Sequence, residues 1–156
     1  MGNLANLATA LGIVGKQIVN AMQATLQRNR SNASGNLSKS IKDNVVENNN
    51  TLKLQIQMED YGEFVDGGRG GAKKGGWSNK KQDISGWLRA KGISPRQGIT
   101  EKQLVFLISR KINRQGYKAK PFIQPSINSV LSKDLQGILG DAISKDIETI
   151  LIKKYK

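Results

Sequence analysis

Glu59, Asp60, Glu63 and Asp66 form the one dense acidic group in this sequence. Carboxylates so grouped can hold Mg²⁺ or share acid–base work in hydrolysis. Here Glu59 and Asp60 adjoin the end of an alternating apolar segment, while Glu63 and Asp66 flank an aromatic-valine run. A solvated corner is a commoner state of such a group than a metal cage. The chain contains no Cys and no His. Thiolate nucleophiles, disulfides, Cys/His zinc sites and imidazole bases are thereby excluded. The reading is a protein that is not an enzyme, with no catalytic residue, no cofactor and no bound metal. A metal nuclease built on Asp60 and Asp66 is the weakest of the three function classes considered.

The sharpest feature lies just after the acids. Gly67–Lys81 reads GGRGGAKKGGWSNKK, with six glycines, five cations and no acid. Glycines let backbone amides come close to a phosphate or to another backbone. Arg69, Lys73, Lys74, Lys80 and Lys81 add sequence-independent attraction to polyanions. Trp77 can anchor in a partner's pocket or stack on a base. A duplex in a channel presents phosphates and not open bases, so the tryptophan favours protein over DNA as what this segment touches. Residues 67–82 are thus read as a long mobile loop that contacts a partner. A phosphate-binding Gly-x-x-x-x-Gly-Lys-Ser/Thr element is absent: Gly70–Gly75 supplies the glycines without the Lys-Ser/Thr pair.

With 25 Lys+Arg against 12 Asp+Glu, the net charge is +13, a field that draws polyanions or an acidic partner subunit. At 156 residues, one domain spanning 1–156 is expected. The first residues do not read as a secretory signal, and no run reaches the roughly 20 apolar residues of a membrane span. No membrane partner is expected.

These side chains must be placed by a small set of elements. Leu4, Leu7, Leu11, Val14, Ile18, Met22 and Leu26 step by three or four residues, giving one apolar stripe on a helix within residues 1–33. Ser34 is placed to cap a short helix that turns Leu37 and Ile41 inward. Leu52, Leu54, Ile56 and Met58 alternate with Lys53, Gln55 and Gln57, and pair as a hairpin with Asn44–Glu47 across an Asn48–Asn50 turn. Residues 60–66 read as either a third strand or one helical turn, with Tyr61, Phe64 and Val65 at the i, i+3, i+4 spacing that favours the turn. Asp83 is placed as the cap of a helix ending at Gly92, with Ile84, Trp87 and Leu88 on one face. Thr100 and Gln103 make a capping-box pattern, followed by a buried face of Leu104, Leu107, Ile108 and Ile112 and a stop at Gly116. Lys120 and Gln124, each preceding proline, are expected to be extended. Phe122 is expected to plug the core. Ser126 is read as the cap of one long helix over 126–155. The fold class is therefore α+β: a small antiparallel sheet packed against long N- and C-terminal helices, with two short helices.

Three pieces follow one another in order: Tyr61–Arg69 (YGEFVDGGR), Ile84–Ile93 (ISGWLRAKGI) and Leu107–Ile127 (LISRKINRQGYKAKPFIQPSI). Their order resembles the tail-completion proteins of tailed bacteriophages, also called neck or minor tail components. Those proteins commonly show a Tyr/Phe-Val-acid-Gly corner, an Ile-x-x-Trp-x-x-x-Lys-Gly helix, an Ile-x-Arg-Lys-Ile-x-x-x-Gly helix end and a Pro-Phe-x-x-Pro-x-Ile turn. The resemblance covers roughly residues 36 to 130 and is carried by Tyr61, Phe64, Asp66, Gly67, Trp87, Gly92, Gly116, Pro121, Phe122 and Pro125. The first 33 residues and the last 25 extend beyond it.

The resemblance implies a structural virion protein, assembled in the cytoplasm of a bacterial host. It would form a six- or twelvefold homo-oligomeric ring in the neck, beside other neck, portal-adaptor or tail proteins, with an axial passage for DNA. The alternative class is a basic nucleic-acid-binding module, which the charge supports.

Overall fold

A computed structural model of the chain describes residues 4–31, 33–48, 51–71, 81–133 and 135–154, leaving out the side chains of 81–83 and 153–154. The fold is α+β: a two-strand antiparallel hairpin packed with a long N-terminal helix and a C-terminal helix, plus shorter helices. The order is α1 (Ala5–Arg28), α2 (Asn36–Ser40), β1 (Lys42–Asn48), β2 (Thr51–Gln57), α3 (Tyr61–Gly67), α4 (Lys81–Ala90), α5 (Glu101–Gln115), α6 (Ile123–Leu131) and α7 (Leu135–Lys154).

Helix α1 is the shared element. Val14, Ile18, Met22 and Leu26 recur every four residues, so they lie along one face, and all four are buried. The strands pack on α1, and so do α6 and α7. At Gly15 a Cβ would sit 2.8 Å from Leu54 Cδ1 and 2.9 Å from Asp43 Cβ, so the missing side chain is what lets the hairpin approach this close. The hairpin register pairs Lys42 with Gln57, Val45 with Leu54 and Asn48 with Thr51. Leu54 and Ile56 turn toward α1, together with Met58 just beyond the strand. Gln55, Gln57 and Lys53 face out, as the alternation requires. Of the expected Asn turn, residues 49 and 50 lie outside the described residues.

Two cores result. The main one joins α1 to Leu37, Ile41, Phe122 and Val130. The second is small and local: Ile84 and Leu88 of α4 meet Val105 of α5, with Leu104, Ile108 and Ile112 around them. The Thr100–Gln103 capping box forms in both directions and starts α5.

Several sequence expectations are corrected. The long helix over 126–155 is two helices, α6 and α7, separated after Leu131. Its start is also earlier, at Ile123, because a side chain from elsewhere in the chain caps it, as described below. Ser126 is therefore inside α6. It is buried, and its hydroxyl donates to Thr25 Oγ1 at 3.2 Å across the α1–α6 contact. Gln124 is helical, since Pro125 falls in the first turn of α6, where its missing N–H costs nothing. Asp83 lies within α4, not at its cap. At α2 the cap position is taken by Gly35 at φ +80, and no side chain caps the helix; the Ser34 hydroxyl is 3.5 Å from the Asn36 N–H. Trp87 and Leu107 are exposed, although their spacing placed them on buried faces. A two-helix contact covers the Ile84/Leu88 and Leu104/Ile108/Ile112 rows and leaves the residues one step around each helix uncovered.

Candidate functional site

Several of the residues singled out from the sequence, among them Asp66, Gly116, Pro121 and Phe122, come together around one corner, whereas Trp87 and Gly92 belong to α4 and its end. Asp66, near the end of α3, directs its Oδ1 at the start of α6 and accepts the Phe122 N–H at 2.6 Å and the Ile123 N–H at 2.8 Å. It is a helix cap supplied from another segment, and it satisfies donors that a helix start otherwise leaves unpaired. Three further backbone bonds join the same two segments: Lys120 N–H to Val65 O at 3.0 Å, Arg69 N–H to Tyr117 O at 3.0 Å and Tyr117 N–H to Arg69 O at 2.9 Å. Residues 65–69 thus run antiparallel beside 117–120. Phe122 is fully buried beneath.

Gly116 ends α5 at φ +70, and a Cβ there would run into the Arg69 carbonyl oxygen. Gly67, singled out from the sequence, has open space around it; the strained neighbour is Gly68, at φ +71. Gly92, at φ +64, closes α4, and the Ile93 N–H reaches back to Leu88 O at 2.9 Å. Pro121 is exposed, and its carbonyl accepts the Asn29 side-chain amide at 3.1 Å. Pro125 is exposed in the first turn of α6.

The acidic group does not assemble. Asp66 is engaged with α6, and among the described residues no three acids lie close enough together to hold a metal ion. Tyr61 is partly exposed beside this corner. Burial raises its phenol above the ordinary value, Glu59 adds to that, and a backbone hydrogen bond at Leu37 opposes it.

Of the basic loop, Arg69 is described. Its guanidinium lies 5.9 Å from the centroid of the exposed Phe64 ring, within cation–π range. Lys73, Lys74, Trp77 and Lys80 lie outside the described residues, as does the side chain of Lys81.

Two apolar faces stand out instead. On the α4–α5 pair, Phe106 is 52% exposed, Leu107 50% and Trp87 42%. Beside Phe106 is an open groove of about 760 Å³ lined also by Ser85, Arg89, Thr100, Glu101 and Val105. Arg89 and Glu101 pair across it at 3.4 Å, both well exposed. On α7, Ile143, Ile147 and Leu151 follow at four-residue steps and are each close to half exposed. The neighbouring face of α7 is covered by α1 through Ala142 and Asp146.

Asp146 is a residue that sequence reading missed. It is buried, and its carboxylate accepts the Asn6 N–H at 3.1 Å, the Asn6 side-chain amide at 2.8 Å and the Leu7 N–H at 2.9 Å. Burial alone would raise its pKa, but these hydrogen bonds outweigh burial and hold it below the ordinary carboxylate value. Asp146 therefore caps α1 from α7.

Searches of family models, of curated proteins and of solved structures found no match to this chain.

Proposed function

We propose that this protein is a structural subunit that assembles head to tail into a ring, in the manner of the neck and tail-completion proteins that its ordered motifs resemble. The observation that carries this reading is large apolar side chains exposed at two separate places on one chain: Phe106 at the groove of the α4–α5 pair, and Ile143, Ile147 and Leu151 in a row on α7. A clustered apolar face on a highly charged chain marks a contact surface. A twofold dimer reuses one face on both partners. Two different faces suit heterologous contact, which makes a ring when the rotation closes. In a virion neck such a ring joins tail to head and leaves an axial passage for DNA, with no bond made or broken by the subunit.

The test is assembly. Native mass spectrometry and electron microscopy of the purified chain, alone and mixed with portal and tail-tube proteins, should show closed rings of six or twelve copies. Phe106→Glu and Ile147→Glu should each stop assembly while leaving the helical circular dichroism unchanged. A chain that stays monomeric at high concentration, and forms no ring with any of those proteins, ends the proposal.

A further inference from the structure

We infer that the C-terminal end of α1 is a docking point for the phosphate backbone of duplex nucleic acid, built from Arg28, Arg30, Lys91 and Lys120. The site does not depend on ring formation.

Three segments far apart in sequence deliver these cations to one place. Arg28 is in the last turn of α1 and exposed, and Arg30 follows two residues later. Lys91, just past α4, places its ammonium 2.7 Å from the Arg30 carbonyl oxygen. Lys120, on the segment before α6, places its ammonium 3.1 Å from the Asn29 carbonyl oxygen. Two ammoniums are therefore fixed on neighbouring carbonyls, and Asn29 is flanked in sequence by two exposed arginines. None of the four pairs with a carboxylate: among the described residues the ion pair is Arg89–Glu101. The acid on the adjoining segment, Asp66, has its Oδ1 taken by the α6 N–H groups.

Cations at a helix C-terminus also suit the helix dipole, and that would be reason enough for a lysine there. It does not explain Arg30. This residue has φ +51 and is the one non-glycine residue with positive φ among those described. The backbone needs the left-handed turn, because the Arg30 N–H reaches Gln27 O and the Ser31 N–H reaches Leu26 O, each at 3.0 Å. Glycine is the residue that adopts this conformation without cost, and asparagine comes next. An arginine there keeps a strained backbone and gains a charge, a pattern that points from strain toward function. The four side chains include no aromatic anchor of the kind that dominates protein contacts, and none of the Trp, Phe or Leu that an interfacial membrane site buries. Phosphate neutralisation is what such a cluster does well, without reading sequence.

The experiment is fluorescence anisotropy with a short mixed-sequence DNA duplex, titrated from about 50 to about 200 mM salt. Four phosphate contacts contribute about −3.6 to the slope of log affinity against log salt, and each cation removed should lower its steepness by about 0.9. Arg30→Gly is the decisive variant. It should leave thermal stability equal or higher, since the left-handed strain is relieved, while weakening duplex binding and flattening the slope. Lys91→Gln and Lys120→Gln should add to that loss. Lys16→Gln, on the same helix about 18 Å away by helical rise, removes one charge outside the patch and serves as the control. If Arg30→Gly lowers affinity no more than Lys16→Gln does, or if the intact chain does not bind duplex at low salt, the inference is overturned.

Discussion

Asp146 concentrates more physical consequence than any other single side chain. Its three accepted hydrogen bonds hold the carboxyl below the ordinary value of 3.8, against the upward push of burial. The unfolded chain therefore takes up the proton more readily than the folded one. The stabilisation is complete above the ordinary carboxylate pKa and is lost as pH falls through the folded value. Acidification from about pH 5 to about pH 3 should lower the melting temperature through this group. Asp146→Asn should already melt several degrees lower at neutral pH, with a shallower acid limb; thermal denaturation across that range checks both. A variant with the full wild-type acid slope would show that other carboxylates dominate. None of this was legible in the sequence, because Asp146 and Asn6 are 140 positions apart and nothing near either marks the pair. Thr100 and Gln103, three positions apart, were legible for the opposite reason, since a capping box is local chemistry. Phe122 was legible because a large apolar residue beside prolines on a polar turn has few places to go but inward.

At the scale of elements, α1 and the hairpin followed from periodicity, since each buries one face and exposes the other. The boundary between α6 and α7 did not. Apolar residues continue at helical spacing from Ile127 to Leu151. The pattern records which residues are apolar and is silent on where the axis changes. The cap that starts α6 comes from Asp66, more than fifty residues upstream, so the start too was hidden. The exposure of Trp87 and Leu107 was likewise invisible: helical spacing gives a face its direction but does not say how wide the partner element is.

The join between α5 and the α3 corner gives a contrast to test. Gly116→Ala meets both a left-handed backbone and the Arg69 carbonyl, so it should cost well over about 1 kcal/mol. Gly12→Ala, within α1 and facing open space, should instead stabilise by about 0.5–1 kcal/mol. Denaturant unfolding of the two variants should give opposite signs.

The molecule as a whole is not uniformly held. The main core joins α1, α2, the hairpin and α6, while α4 and α5 have a small core of their own. Among the described residues, the links between that pair and the body include polar ones, Lys91 to Arg30 and the Arg69–Tyr117 bridge beside the end of α5. Regions with few buried apolar contacts open at lower free energy than the core. Native-state hydrogen exchange should therefore find α4 and α5 amides opening before those of α1 around Met22 and Leu26. Assembly through Phe106 should raise their protection. Equal protection in the free chain would show that the pair is docked as firmly as the core.

The embrace of α1 by α7 also has a temporal side. The stripe on α1 is finished early in translation, yet Asp146 is made 140 residues after Asn6. At about 5–20 residues per second that is a delay of roughly 7 to 28 seconds. For that interval the first turn of α1 lacks its cap and its contact with α7, although the hairpin that covers much of the stripe is made far sooner. The protein's yield in a cell should accordingly depend on what shelters the nascent chain at the ribosome exit.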